Sequence, residues 1–306
     1  MTPKRQLIVV TGCKGQVVQS LLERARVTGR FDIVALGRPE LDLAIPQKIK
    51  EALRAARADV IVSAAAYTAV DQAETEESAA FAVNATGAGK IAESAAELGI
   101  PLVHLSTDYV FDGDKPHPYV ETDPVAPIGA YGRSKLAGEK AVSESMANYA
   151  ILRTAWVYSP FGKNFLKTML RLAETRATLN VVDDQIGNPT SALDLADGVL
   201  AVAANLLDSS AASLRGTFHM AGSGEGSWAD FADAIFAEAA VNGMPRAEVN
   251  RVPTRQYPTP ARRPMNSRLD SSLLAANHEI RLPHWGISTG RVVERLSGSQ
   301  DWRRGE

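Results

Sequence analysis

The stretch Val9-Val10-Thr11-Gly12-Cys13-Lys14-Gly15-Gln16 carries an apolar run straight into a turn containing two glycines, and a helical pattern begins at Gln16. Glycine permits the tight turn, and it lets a pyrophosphate approach the amides at a helix N-terminus without meeting a Cβ. Gly-x-x-Gly turns are common, so the position directly after the first strand is what points to dinucleotide binding rather than a plain turn. Residue 18 is Val where a third glycine ordinarily allows close helix–strand contact, which predicts slightly wider packing there. A helix N-terminus lowers a thiol pKa, yet Cys13 has no Cys–His constellation and reads as a packed small residue.

Outward from this turn the first half alternates short apolar runs with longer helical patterns. Strands are predicted at Leu7–Val10, Ile33–Leu36, Val60–Ser63, Leu102–Ser106 and Tyr149–Arg153, and helices over 16–27, 47–57, 76–98 and 130–146. Such alternation implies crossover units, and near-continuous apolar strands imply a sheet covered on both faces. The expected fold is α/β, a doubly wound, Rossmann-like parallel sheet with a smaller C-terminal substrate lobe. Past residue 155 the regularity loosens, although helices fit 191–206 and 228–240 and a strand fits Thr217–Met220. A dinucleotide-binding domain over 1–155 and a substrate lobe over 156–306 are therefore expected, with elements of the second returning to the first sheet.

The chain has 306 residues, 45% of them hydrophobic and 22% charged, which excludes disordered and fibrous classes. With 33 basic against 35 acidic residues, neither nucleic acid nor a membrane surface is the expected partner. A single cysteine excludes an intramolecular disulfide and suits a reducing cytosol. The apolar run Gln6–Thr11 is too short for a signal peptide, and no window of about 18 apolar residues follows, so a soluble cytoplasmic protein is expected.

The chemistry gathers at three places. The second strand ends in Leu36-Gly37-Arg38-Pro39, with no acid to hold the ribose hydroxyl of NAD. Arg38 and Lys14 suit the 2′-phosphate of NADP, and equally suit solvated surface. The cofactor expected is NADPH, with NADH as the alternative. In Tyr131-Gly132-Arg133-Ser134-Lys135 a phenol and an ammonium stand one helical turn apart. Bringing a tyrosine from about 10 to about 7 takes roughly 4 kcal/mol, which a nearby ammonium could supply. Alone, such a pair is also an ordinary surface pair. At the end of the fourth strand, Ser106-Thr107-Asp108 sets hydroxyls where doubly wound sheets bind ligands, or where hydroxyls merely satisfy loop backbone.

With these features in that order, the chain resembles the extended short-chain dehydrogenase/reductases. Within them it is similar to the dTDP-4-dehydrorhamnose reductase family, through residues 64–74 (Ala-Ala-Ala-Tyr-Thr-Ala-Val-Asp-Gln-Ala-Glu), 106–113, 131–139, 153–158, 183–190 (Asp-Asp-Gln-Ile-Gly-Asn-Pro-Thr) and 262–267 (Arg-Arg-Pro-Met-Asn-Ser). The Tyr-x-x-x-Lys motif marks only the superfamily; the other blocks are more specific. The resemblance implies NADPH-dependent reduction of the 4-keto group of dTDP-4-dehydro-L-rhamnose, with Thr107, Tyr131 and Lys135 as catalytic residues. Cofactor contacts implied are Gly12, Lys14, Gly15, Gln16, Val17, Arg38, Asp42, Leu43, Ala64, Ala65, Ala66, Tyr67 and Thr68, with Tyr131 and Lys135. Substrate contacts implied are Thr107, Asp108, Trp156, Asn164 and Arg262. Trp156 equally suits a core position, and Asp183-Asp184 and Arg262-Arg263 equally suit solvated surface.

Some members of that family dimerise around magnesium. Ser20 and Leu193 stand where acidic ligands are needed and leave only Glu294, so no metal is expected, and the protein is a monomer or homodimer. Two rival functions share the resemblance. An epimerase–reductase needs an extra acid/base, for which Cys13, His104 and His117 are the candidates. A non-catalytic NADP-binding regulatory subunit, of the kind known for methionine adenosyltransferase, would not need the Thr107/Tyr131/Lys135 set.

Overall fold

The computed structural model describes residues 5–299 and 302–303; residues 1–4 and the remaining C-terminal ones lie outside that description. The first half runs β1 (Gln6–Thr11), α1 (Gln16–Thr28), β2 (Phe31–Leu36), α2 (Pro46–Ala56), β3 (Val60–Ser63), α3 (Val70–Ala73), α4 (Glu77–Phe81), α5 (Ala88–Leu98), β4 (Leu102–Thr107), α6 (Ala130–Ser145) and β5 (Tyr149–Thr154). The second runs β6 (Val157–Tyr158), α7 (Phe165–Ala173), β7 (Thr178–Val182), β8 (Ile186–Gly187), β9 (Thr190–Ser191), α8 (Ala192–Asp208), β10 (Gly216–His219), β11 (Gly226–Ser227), α9 (Trp228–Val241), β12 (Glu248–Val252), α10 (Ser272–His278) and α11 (Trp285–Ser297).

Six parallel strands form the main sheet in the order β2-β1-β3-β4-β5-β10. Strand side chains alternate between faces, and this alternation is visible residue by residue. Ile8, Val10, Val60, Val62, Val103 and Leu152 join one core with α1 and α8. Val9, Ile61, Leu102 and Ile151 join the other with α2 and α5. With both faces dry, the inner strands favour apolar residues, while the edge strand β2 leaves Asp32 and Val34 exposed, and each fully buried Val or Ile contributes about 1.5–3 kcal/mol. A third core fills the second half, where α7, α9 and α11 bury Leu166, Phe231, Ile235 and Val293.

From β1 the chain goes outward to β2 and then crosses back to β3 on the opposite side of β1. That reversal opens a crevice above the carboxyl ends of β1 and β3. Strand β10 joins the sheet beside β5, and α8 packs on the core under α1, so elements from beyond residue 155 do cover the first half.

The helix expected over 76–98 differs. It divides into α4, a wider π-helical turn over 82–87, and α5. The cause is a close approach: the backbone oxygen of Asn84 would lie 2.1 Å from a Cβ on Gly138, in α6. The extra residue in that turn lets Asn84 face α6 and the β3 loop at once. Gly138→Ala is therefore expected to overpack this seam and cost about 1–3 kcal/mol, or more if the backbones cannot part. A urea midpoint equal to that of the unchanged protein would refute the backbone contact.

Candidate active site

At the crevice, Gly12 adopts φ +94°, a left-handed conformation suited to glycine, and its amide donates to the Leu36 carbonyl at 2.6 Å. A Cβ at Gly12 would also sit 3.3 Å from that of Ala65 and 3.6 Å from Val18 Cγ2. The bare backbone at Gly12 thus gives Val18 its room, and Val18 is fully packed rather than loose. Gly15 forms the N-cap of α1 with no side-chain cap, so the first amides of the helix are open to a ligand. Thr11 ends β1, and its hydroxyl accepts from the amides of both Ala64 and Ala65 at 3.0 Å. That hydroxyl shapes the opposite wall, and the sequence reading passed over it. Cys13 is exposed, its sulfur lying over Gly37, where a Cβ would approach to 2.8 Å.

The loop Ala64–Ala69 is held from two sides. Asn84 accepts from the Tyr67 amide at 2.8 Å, and its own amide donates to the Tyr67 carbonyl and to Ser134 Oγ. Tyr67 and Tyr131 then pack around the same small cluster of Ala73, Ala80 and Ala130. Glu74, a little further along, accepts from the Ala130 amide at 2.9 Å and so caps the helix that carries Tyr131. Within α6, Gly132 permits close contact, because a Cβ there would stand 2.2 Å from the Tyr109 carbonyl oxygen.

Thr107 ends β4 and Lys135 lies one turn after Tyr131, and both are buried. Thr107 donates to Asp108 Oδ1 at 3.0 Å, accepts from the Tyr109 amide at 3.3 Å and lies near the Tyr131 phenol. The Tyr131 ring meets Tyr109 edge-on at 5.5 Å. Lys135 donates to the Leu105 carbonyl at 2.6 Å. Burial brings this ammonium down to about 8, against the pull of Glu139. The phenol goes the other way. Burial, reinforced by the Asp108 carboxyl, raises Tyr131 well above the usual tyrosine range, with Thr107 opposing. The expectation of a phenol drawn down toward neutrality is therefore corrected: desolvation and the Asp108 carboxyl set the direction, and Tyr131 is held as a neutral phenol.

Ser106 separates from Thr107. It donates to Glu139 Oε1 at 2.5 Å, and Arg153 reaches the same carboxylate with two bonds of 2.9 and 2.7 Å. Only Thr107 of the hydroxyl pair faces Tyr131.

Beyond β5, Trp156 takes φ +47° and stacks on Trp228 at 3.7 Å. Gly187 lies under the indole, where a Cβ would come within 2.5 Å. Next to Trp228 opens a cavity of about 240 Å³, lined by Phe165, Asn180, Gln185, Tyr257 and Arg263 among others. Arg263 donates to Asp71 at 2.8 Å and to the Tyr109 hydroxyl at 3.5 Å, and the Ala261 amide also reaches Asp71. Two of the specific sequence blocks, whose Asp71 and Arg263 are 192 residues apart, thus meet at one carboxylate.

Two expected substrate contacts, Arg262 and Asn164, stand elsewhere. Arg262 is exposed, and its neighbour Arg263 lines the cavity instead. Asn164 caps α7 and spends its amide on Gln16 Oε1, Ser159 and Phe161. It ties the second lobe to the glycine turn rather than facing a sugar, because a helix start and a lobe seam coincide there. Leu43 is buried in the α2–α5 core, and Asp42 accepts from the Ala44 amide. Lys14 and Arg38 are both exposed on the turns after β1 and β2.

A switch-point crevice with an open helix N-terminus, a strand-end threonine and a half-buried tyrosine one turn before a buried lysine are the features of an extended short-chain dehydrogenase/reductase. The family description "RmlD substrate binding domain" matches residues 6–297. The chain belongs to the dTDP-4-dehydrorhamnose reductase family. It is 52% identical over 289 residues to the dTDP-4-dehydrorhamnose reductase of Sinorhizobium fredii, covering 94% of this chain and 97% of that one. It is 46% identical over 260 residues to that of Escherichia coli K12, covering 83% and 85%. Among solved structures it is similar to dTDP-4-dehydrorhamnose reductase from Bacillus anthracis in complex with NADP, with TM-score 0.88 and 36% identity, covering 94% of this chain and 99% of that one.

Proposed function

We propose that this protein reduces the 4-keto group of dTDP-4-dehydro-L-rhamnose, using NADPH, to give dTDP-L-rhamnose. The observation that carries the reading is the neutral Tyr131 phenol beside Thr107 at the carboxyl end of β4, with Lys135 buried one turn on and a glycine turn whose helix amides are open. The printed name of the relatives and the NADP held by the Bacillus anthracis structure support both substrate and cofactor.

The residues present fit a dinucleotide. Gly12 and Gly15 leave bare backbone at the α1 N-terminus, where no side chain competes for the free amides. Lys14 and Arg38 are exposed cations within reach of a 2′-phosphate on the same rim. When bound, the cofactor supplies the hydride. Tyr131, kept neutral by burial, gives its proton to the oxygen on which charge develops. Thr107 donates to the same oxygen and fixes the carbonyl's direction. Lys135 holds the ribose beside it. Trp156 and Asp108 line the sugar, and the cavity margined by Arg263 takes the nucleotide end. A cytosolic monomer or homodimer, with the second half of the chain as the substrate lobe, completes the reading.

The epimerase–reductase alternative lacks a suitable extra acid/base: Cys13 sits on the outer face of the glycine turn, His117 is exposed, and burial holds His104 well below the usual histidine range, beside Ser63.

The test is NADPH oxidation, followed by absorbance, on adding dTDP-4-keto-6-deoxy-L-mannose made enzymatically from dTDP-glucose. Cofactor binding without oxidation would refute catalysis and favour a regulatory role. A pH dependence follows as well. Lys135 is charged below about 8, so the KM for NADPH is expected to rise by up to about tenfold per pH unit above that point. Lys135→Met should have a high KM with no such slope; a slope that persists in that variant assigns it to another group.

A further inference from the structure

Thr107 has one hydroxyl hydrogen and two lone pairs, and the structure accounts for the hydrogen and one of the lone pairs. The hydrogen goes to Asp108 Oδ1, while the Tyr109 amide occupies one lone pair and leaves the other for a further donor. An ionised carboxylate can only accept, so as long as Asp108 is ionised the Thr107 hydrogen is committed to it. In that state Thr107 has nothing to donate to a sugar carbonyl.

We propose that Asp108 is a positioning residue that must be protonated for reduction to run at full rate, because only a neutral carboxyl can donate to Thr107 Oγ1 and turn the threonine hydrogen toward the substrate oxygen. This rests on the reductase reading above and adds to it a control over which way one hydrogen points. The surroundings favour the neutral form. Asp108 is 3% exposed, and its Oδ2 has no hydrogen-bond partner among the described residues. A buried carboxylate with an orphaned oxygen carries a desolvation cost that protonation removes. Burial raises the group to about 6, with the hydroxyls of Ser267 and Thr107 pulling the other way. The groups that face it are the neutral phenol of Tyr131 from α6, Ser267 from the C-terminal strap, and Thr107 and Tyr109 on its own turn. Arg263, bonded to the Tyr109 hydroxyl, has its charge paired with Asp71.

No proton is consumed at Asp108 in a turnover. The proton that reaches the alkoxide leaves Tyr131, and the Asp108 proton only moves into its hydrogen bond with Thr107. When the pH rises through the Asp108 titration, Thr107 turns back to the carboxylate and the rate falls to a lower plateau sustained by Tyr131 alone.

The experiment is the pH profile of single-turnover NADPH oxidation at saturating substrate, for the unchanged protein, Asp108→Asn and Asp108→Ala. The unchanged protein should lose rate by up to about tenfold per pH unit over the titration before levelling. Asp108→Asn and Asp108→Ala should both lack that descent, leaving only the one near the Lys135 titration. A descent that persists unshifted in either folded variant overturns the proposal, as does its absence from the unchanged protein. A second readout does not need turnover: the carboxylic-acid C=O stretch in infrared spectra, taken as the unchanged protein minus Asp108→Asn. That band should titrate near neutrality, and titration only in the ordinary carboxylate range overturns the proposal. If the unchanged protein does not oxidise NADPH at all, the reductase reading fails by itself, and the infrared titration still decides whether Asp108 is held neutral.

Discussion

Tyr131→Phe is expected to lower turnover by about two to four orders of magnitude, the range spanned by a positioned general acid, with the NADPH Kd almost unchanged. The substitution removes one oxygen. The ring keeps its edge-on contact with Tyr109 and its place against Ala73, Ala80 and Ala130. What disappears is the phenol proton beside Thr107 at the strand end. The buried phenol is a weak acid in the resting protein, but its high pKa also ensures that it carries its proton at every working pH. Transfer becomes favourable once charge collects on the substrate oxygen, a stronger base than phenolate. Stopped-flow NADPH oxidation and cofactor titration together check this. Unchanged turnover removes Tyr131 from the mechanism, and a collapse of cofactor binding would reassign it to holding the nicotinamide.

Arg153→Met is expected to cost about 3–5 kcal/mol of folding stability, the usual penalty for leaving one partner of a buried ion pair alone. Arg153 and Glu139 have side chains only 6% exposed, and they meet through two bonds of 2.9 and 2.7 Å. Ser106 adds a third to the same carboxylate, and the guanidinium lies 5.1 Å over the Phe111 ring. Removing the cation strands a carboxylate between the sheet and α6, directly under the Tyr–Lys turn. The double variant Arg153→Met/Glu139→Gln should recover much of the loss, since the stranded charge rather than the lost attraction dominates. Urea unfolding of the three proteins decides it. If the double variant is no more stable than Arg153→Met, uncompensated charge is not the cause.

Much of the sheet could be read from residue order because its signals are short-range. An apolar run that ends in glycines marks a strand and its turn, and a Tyr and Lys four apart share a helix face whatever surrounds them. Strands β1 and β3 to β5 and helices α1, α2 and α6 accordingly lie within a residue or two of expectation. In the second half the elements are short: β6, β8, β9 and β11 have two residues each, too few for any period to show. The break in the helix over 76–98 had no local signal either, since its cause is a backbone 50 residues away.

Sequence alone determined the doubly wound architecture, the place of the glycine turn, the Tyr–Lys spacing and the family, all of which are written within a few residues or as contiguous blocks. Tertiary structure decided what surrounds each of those residues. It chose Arg263 over Arg262 and turned Ser106 away from Thr107. It set Asn164 into a lobe seam, and it recruited Thr11, Glu74 and Asn84 to hold the site. It also set the direction of the Tyr131 shift, because desolvation depends on what packs around a phenol and not on which ammonium follows it four residues later. Thr11, Glu74 and Arg263 meet partners 53, 56 and 192 residues away, and no periodicity along a chain encodes a contact made only after the sheet closes.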